Sequence, residues 1–478
     1  MMVEYDYLDT LIDNYLDQDL GLVVAEYPGF QVTMHDLLIG INEAMKCIDE
    51  YALSQPRTIV LKGKNSKEIL AWIFAAIKRR IPFCIEVDNA RQSDSVSLPL
   101  SNYGNVLLVE LKPGPSGCSL ITSKNQGKHT LNGQYAYLVK TSGSTGSPKI
   151  IPISRYNLIQ MLIAAKGHFS FVPGETWIWE HRPSFDLALW EIFGCILFKG
   201  KFIISPTPVA EWSKLEYKNI ANFSPQHITL TPSELKKLGR LDDKISERFF
   251  REVKSILFCG ERLGWDALRY LPNSITPSKV QIYNAYGPSE STIFCSVHLL
   301  TNRDMKLSSV PIGKPMGDMS FRINKPDNEL CISGPQVFGG YLGNALEKSG
   351  EYATGDIVEK TQAGDLIFKG RLSGFLKING ERVDPSRTIA ALLLEKEVLD
   401  AYLWVVSEPP FDQVLAAIKT DALDSINKRA LREAISRAGV YPRPTRYIFL
   451  SSDEWPLTDR GKINYSQLYA LIDRKNAE

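Results

Sequence analysis

Three consecutive segments early in the chain decide its fold class. RTIVLKG, residues 57–63, is an apolar run of strand length; SKEILAWIFAAIKRR, residues 66–80, has the length of a helix; IPFCIEVD, residues 81–88, is strand-like again. A helix between two apolar strands carries the chain back to the starting edge, so the strands run parallel and the helix covers their face. The rhythm returns after residue 170 in WIWEHR, GKFIISP, HITLTP with SELKKLGRL, VKSILFCG with WDALRYL, and VQIYNAYG. From about residue 310 it gives way to shorter β-like segments, ELCISG, DLIFKG and FLKING, separated by Gly, Asn and Asp. After GRLSG come two helix candidates, PSRTIAALLLEKE and SINKRALREAISRAG, and two strand candidates, YLWVVSE and VLAAIKT. The expectation is an α/β chain. A large N-terminal domain, residues 1–372, has βαβ sheets and a small β subdomain, and a small α+β C-terminal domain spans residues 373–478.

Charge and composition remove several function classes. With 55 Lys+Arg against 54 Asp+Glu and no dense basic run, the chain lacks the electrostatic footprint of a nucleic-acid binder. The longest apolar stretch, Ile69 to Ile77, is about half the roughly 20 residues of a spanning helix, so no membrane segment is expected. The acidic start MMVEYDYLDTLIDNYLDQDL lacks the basic and apolar regions of a secretory signal, and a cytoplasmic location is expected. Seven cysteines with no C-x-x-C pair argue against a disulfide framework or a structural zinc site, and predict mostly buried thiols.

Four strings carry chemistry. Tyr137-Leu-Val-Lys-Thr141-Ser142-Gly143-Ser144-Thr145-Gly146-Ser147-Pro148-Lys149 runs from an apolar strand into small hydroxyl residues, whose N–H groups and hydroxyls suit phosphate oxygens. It departs from the common phosphate loop, because Ser147 and Pro148 separate the last Gly from Lys149. Tyr283-Asn284-Ala285-Tyr286-Gly287-Pro288-Ser289-Glu290-Ser291-Thr292 puts a ring, hydroxyls and a carboxylate after a strand, where ligands of open α/β sheets bind. Thr354-Gly355-Asp356 offers a carboxylate for a ribose, with Arg371 fifteen positions on. Pro456-Leu457-Thr458-Asp459-Arg460-Gly461-Lys462 places a lysine on a glycine turn 16 residues from the end. Taken singly, these strings also suit a flexible linker, a Gly-Pro turn, a solvated carboxylate and a solvated lysine.

In their order and spacing the four strings resemble the adenylate-forming superfamily of acyl-CoA synthetases, luciferases and nonribosomal peptide synthetase adenylation domains. The resemblance covers nearly the whole chain, from VTMHDLLIGINEAM to PLTDRGKINY. It is strongest to amino-acid adenylation domains, through Ser184-Phe185-Asp186-Leu187-Ala188-Leu189-Trp190-Glu191-Ile192-Phe193-Gly194 and Asn328-Glu329-Leu330-Cys331-Ile332-Ser333-Gly334. It implies an amino-acid carboxylate attacking the α-phosphate of Mg·ATP, with pyrophosphate leaving, and then capture of the acyl-adenylate by a phosphopantetheine thiol. It also implies a mobile C-terminal domain.

Residue by residue, the resemblance gives the loop Thr141, Ser142, Gly143, Ser144, Thr145, Gly146 and Lys149 the leaving phosphates, with Thr145 among the catalytic set. Tyr286 would lie along the adenine, with Asn284, Ala285 and Gly287 among the nucleotide-binding residues, Ser289 would touch the α-phosphate, and Glu290 would hold Mg²⁺. Asp356 would bind the ribose hydroxyls with Arg371 nearby, Phe368 would be a further nucleotide-binding residue, and Lys462 would bridge the carboxylate and the α-phosphate. Asp186 would pair with the substrate ammonium, whereas acid-activating relatives usually lack it; the competing role is a helix cap. Leu187, Trp190, Thr229, Leu257, Cys259, Ala285, Ile293 and Phe294 would line a side-chain pocket, which predicts a hydrophobic amino acid. His181, five residues before Asp186, would either gate that pocket or pack beside it.

Two positions depart from the pattern. Ser373 stands at the hinge where Asp is usual, and Arg460 precedes the terminal Gly-Lys where Asn is common. No carrier attachment site follows Lys462, so the expected partner is a discrete phosphopantetheinylated peptidyl carrier protein. An acid–CoA ligase and a catalytically silent AMP-binding paralogue are the competing functions, with Asp186 against the first and Lys149, Glu290, Asp356 and Lys462 against the second.

Overall fold

A computed structural model of the chain describes residues 7–51, 58–86, 106–111, 118–123, 131–141, 149–239, 243–307, 309–325, 328–342, 350–371, 376–378, 381–383, 385–408, 411–423, 425–456, 467–468 and 471–472. These residues separate into two compact units, divided between Gly370 and Arg371.

The larger unit contains three sheets. In the nine-stranded sheet, Val23–Tyr27, Lys201–Ile204, Thr176–Trp179, His227–Leu230, Ser255–Phe258 and Gln281–Tyr286 lie side by side and parallel. Antiparallel strands close its edges, Phe30–Thr33 on one side and Ser296–Leu299 with Lys314–Pro315 on the other. The six-stranded sheet has a parallel centre of Val106–Leu111, Thr58–Lys62, Phe83–Glu86 and Tyr135–Thr141, again with antiparallel edges. A four-stranded sheet, Ser320–Asn324, Glu329–Ser333, Glu351–Lys360 and Leu366–Arg371, forms the small β subdomain.

Strand periodicity explains how these sheets share cores. Ala25, Trp179, Phe202, Leu257 and Tyr283 of the first sheet and Ile59, Phe83 and Tyr137 of the second face one cluster, together with the helices Met34–Glu50, Lys67–Lys78, Arg155–His168 and Asp186–Leu197. Their alternates Ile203, Ile228, Ile256 and Ile282 face a second cluster built around Trp212, Tyr217, Phe249 and Phe250. Hydroxyl residues start the helices. Thr33, Ser154, Ser213 and Thr231 each take part in a reciprocal capping box, and the Ser66 side chain accepts from the N–H of Ile69. The stretch Ile69–Ile77 is buried throughout, as a core helix demands, and no helix among the described residues is long and apolar enough to cross a membrane.

The smaller unit is α+β. Strands Asp400–Glu408 and Phe411–Lys419 pair antiparallel, and Arg446–Leu450 adds in parallel to the second of them. Helices Ser386–Leu393 and Lys428–Ala438 contribute Leu392, Leu431 and Ile435 to its core. Among the expected helices, WDALRYL shortens to the single turn Trp265–Leu268. Five of the six described cysteines are buried and all six are free thiols.

Candidate active site

Four parallel neighbours, Thr176–Trp179, His227–Leu230, Ser255–Phe258 and Gln281–Tyr286, end side by side. Residues after these carboxyl ends therefore converge, as expected for a ligand site of an open α/β sheet. The chain leaving Tyr286 turns sharply through Gly287 and Pro288 into a single 3₁₀ turn, Ser289–Ser291. A Cβ on Gly287 would lie 2.5 Å from the Cα of Phe294, so only glycine lets the returning backbone pass this close. Thr292 and Ile293 follow at φ of 61° and 68°, a left-handed conformation costly for β-branched residues, and Thr292 Oγ anchors it by donating to the Gln336 carbonyl at 2.7 Å.

This turn gathers three carboxylates, each met by a hydroxyl donor. Ser289 Oγ donates to Asp186 Oδ2 at 2.5 Å, Tyr286 OH to Asp356 Oδ2 at 2.7 Å, and Tyr341 OH to Glu290 Oε1 at 2.7 Å. Burial first, and then the adjacent Asp356 carboxylate, push the Tyr286 phenol well above its ordinary pKa, which keeps it a donor. Glu290 is 2% exposed, and its second oxygen, Oε2, is buried without a hydrogen bond. An anionic oxygen left in this way matches the oxygen-donor chemistry of Mg²⁺.

Asp186 is the first residue of the helix Asp186–Leu197. The position before it, Phe185, makes no side-chain cap, so Asp186 is not the capping residue. It is 7% exposed, and with Phe185 and Leu189 it borders a small gap against Tyr137, Val139 and Lys140. Those three belong to the strand Tyr135–Thr141 of the six-stranded sheet, so the first turn of the helix Asp186–Leu197 lies against that strand.

The expected pocket residues also come together. In strand register Thr229 sits beside Leu257, and Leu257 beside Tyr283; Cys259 and Ala285 follow two residues on, on the same face. Leu187 and Trp190 reach them from the helix, and Ile293 and Phe294 from the turn. None of the eight is more than 4% exposed. Trp190 meets Phe294 edge-on at 5.0 Å and Phe169 at a tilt at 5.3 Å, so the cluster is packed by aromatic rings.

Several expected residues have other immediate partners. The Asn284 side-chain amide donates to the Pro311 carbonyl at 2.7 Å, which fixes the strand end. Lys149 Nζ stands 4.7 Å over the Tyr341 ring. Phe368 is half-buried against the core in the middle of its strand. His181 neither simply gates nor simply packs: three glutamates enclose it. Ser142, Gly143, Ser144, Thr145, Gly146, Ser373 and Lys462 lie outside the described residues, as do the side chains of Thr141 and Arg371.

Sequence reasoning missed Tyr341. Its ring links Lys149 to Glu290, and Phe338 packs edge-on against it at 5.0 Å while donating its own N–H to the Glu290 carbonyl. Its 51-residue separation from Glu290 left no local signal.

The profile of the family described as AMP-binding enzyme matches residues 54–342. Malpinin synthetase of Mortierella alpina is 25% identical over 77% of this chain, yet the chain spans only 5% of that protein's length. The D-alanine–D-alanyl carrier protein ligase of Bacillus licheniformis is 25% identical over 88% of this chain and 90% of its own length. Among solved structures, holo-PA1221, an NRPS protein containing adenylation and PCP domains, superposes with a TM-score of 0.71 at 21% identity, covering 96% of this chain and 83% of that one. That likeness concerns the fold. With a family profile covering more than half of its length, the chain belongs to the AMP-binding enzymes, the adenylate-forming ligases.

Proposed function

We propose that the chain activates a hydrophobic amino acid as its aminoacyl-adenylate and passes it to the phosphopantetheine thiol of a separate carrier protein. The observation that carries this reading is the 2.5 Å hydrogen bond from Ser289 to Asp186. It joins a buried anion able to hold an ammonium group to the turn on which an α-phosphate would rest. A substrate amine on Asp186 sets its own carboxylate beside that turn, since the two groups of an α-amino acid are separated by one carbon.

In the first step a substrate carboxylate oxygen bonds to the α-phosphorus and the bond to the pyrophosphate oxygen breaks. Anion meets anion, so preorganised donors and cations dominate the barrier. Ser289 Oγ, released once a substrate ammonium takes over Asp186, would be a donor to the α-phosphate, Lys149 would meet the leaving phosphates, and the resemblance gives Lys462 as the second cation. Tyr286 and Asp356 hold the nucleoside. Glu290 Oε2 would hold Mg²⁺, which when bound supplies neutralising charge to the phosphates. In the second step the thiol sulfur bonds to the acyl carbon, the carbon–oxygen bond to AMP breaks, and the thiol proton is released. The lining from Leu187, Trp190, Leu257, Cys259, Ala285, Ile293 and Phe294, with only the Thr229 hydroxyl among them, favours an apolar side chain. Similarity along most of a carrier-protein ligase supports a separate carrier as acceptor.

Pyrophosphate exchange into ATP, measured with a panel of L- and D-amino acids and with acids lacking an amine, tests the reading. Exchange driven by one or a few apolar amino acids is expected. Exchange driven only by acids without an amine would move the chain to the acid–CoA ligases.

A further inference from the structure

Beside the turn that presents Asp186, one imidazole is enclosed by three carboxylates. Glu180 and His181 directly follow the strand Thr176–Trp179, while Glu234 lies in the helix Pro232–Leu238 after the neighbouring parallel strand. Glu191 projects from the helix that begins at Asp186. Exposures are 0% for Glu180, 3% for His181, 1% for Glu191 and 7% for Glu234.

Glu191 orients the imidazole. Its Oε1 lies 2.7 Å from His181 Nδ1, and its Oε2 accepts the N–H groups of Glu180 and His181, each at 3.1 Å. This assigns the Nδ1 proton to the Glu191 contact and turns Nε2 towards Glu234, the arrangement by which a carboxylate orients a metal-binding histidine. Nε2 lies 3.4 Å from Glu234 Oε2 but makes no hydrogen bond, and Glu180 Oε1, 3.4 Å from His181 Nδ1, makes none either. His181 Nε2 and Glu180 Oε1 are thus buried without a hydrogen-bond partner. One ligand atom from each of Glu180, His181 and Glu234 lies within 4.8 Å of the others. Around a tetrahedral ion with bonds of about 2.0–2.2 Å, ligand atoms stand roughly 3.3–3.6 Å apart, so the His181–Glu234 spacing needs no rearrangement.

We propose that Glu180, His181 and Glu234 form a buried site for a divalent cation of the Zn²⁺ class, with Glu191 holding the imidazole. The absence of C-x-x-C pairs argued against a structural zinc site, but that signal does not register ligands such as these, one nitrogen and two oxygens that the fold brings together from adjacent strand ends. The site is separate from Glu290 and does not depend on which substrate is activated. A bound cation would brace the turn 181–185, where Phe185 packs 5.5 Å from the His181 ring. The competing occupant is the proton. Burial holds Glu180 well above the usual carboxylate range, and the glutamates, against burial, hold His181 well above the ordinary imidazole range.

The test reads metal rather than activity. The full chain, produced with Zn²⁺ supplied and dialysed against metal-free buffer, is assayed for bound zinc by inductively coupled plasma mass spectrometry. A Co²⁺-loaded sample is read by visible absorption. The site predicts one Zn²⁺ per chain, tetrahedral Co²⁺ bands, and the same stoichiometry in Glu290→Gln. Glu180→Gln and Glu234→Gln should each bind Zn²⁺ at least about tenfold more weakly. Glutamine keeps an acceptor for the Val209 and Thr231 N–H groups, and circular dichroism melting checks that each variant folds; should one fail, the other carries the comparison. Wild-type chain without stoichiometric zinc, or folded variants that bind it as tightly as wild type, would overturn the site and leave protons alone holding the cluster.

Discussion

Glu175 and Glu290 are both buried glutamates of the larger unit, 6% and 2% exposed, but their surroundings differ in kind. Both oxygens of Glu175 are engaged: Oε1 by Lys254 Nζ at 2.6 Å, and Oε2 by His227 Nε2 at 2.7 Å and the Val172 N–H at 2.8 Å. Desolvation pushes its pKa up, but the bonds from Lys254, Val172 and His227 outweigh it and leave the group below its ordinary value. Glu290 has one hydroxyl donor and one oxygen with none. A carboxylate whose donors are all supplied from within holds the fold together. One that retains an oxygen is poised for something from outside.

The contrast is broken most directly by exchanging each carboxylate for its amide. Glu290→Gln should lower the rate of adenylate formation by about 10²–10³, the typical effect of removing a preorganised electrostatic contact, while its melting temperature stays near wild type. Exchange kinetics with parallel calorimetry would show this, and a large loss of stability with normal turnover would assign Glu290 to the fold instead. Glu175→Gln should do the reverse. Glutamine replaces one of the two acceptor oxygens by an Nε2 amide that only donates, so either Lys254 loses its acceptor or the Val172 N–H and His227 lose theirs, and a loss of about 1–3 kcal/mol is expected in denaturant unfolding, with activity per folded molecule retained.

Tyr341→Phe sharpens the comparison by removing the one donor that meets the Glu290 carboxylate among the described residues. Losing a hydrogen bond to a charged group is worth about 1.5–3 kcal/mol, so roughly a tenfold or greater rise in the magnesium concentration needed for half-maximal rate is expected. An unchanged magnesium dependence would reduce Tyr341 to a packing residue.

The smallest effect is in pH. Glu175 has a depressed folded pKa, so its stabilisation is present above the unfolded value and is lost as pH falls through the folded value. His227 is also depressed, by burial first, so the unfolded chain takes up its proton at higher pH than the folded chain. Both terms make stability fall on acidification, His227 beginning near pH 6.5 and Glu175 lower. His227→Gln should flatten the decline in melting temperature between about pH 7 and 5; an unaltered slope would locate the dependence elsewhere.

What the sequence made legible follows from the same physics. The parallel strands announced themselves because short apolar runs alternate with helix-length segments, and the turn after Tyr286 because Gly-Pro breaks a strand where ligands bind. The helix Asp186–Leu197 gives no amphipathic signal, since all of its residues are buried, and only its motif marked it. Left-handed conformations at Thr292 and Ile293 oppose the preferences of β-branched residues and are held by tertiary contacts. Tyr341 reaches Glu290, and Glu234 reaches His181, through strand order rather than spacing along the chain. Such partners become visible only when neighbouring strand ends are known.

The most direct test of the central claim compares an apolar amino acid with the same acid lacking its α-amine in pyrophosphate exchange, using wild type and Asp186→Ala. The account predicts a preference of at least about a hundredfold for the amino acid in wild type, lost when the carboxylate is removed. A preference that survives Asp186→Ala, or a wild-type preference for the acid without an amine, would contradict it.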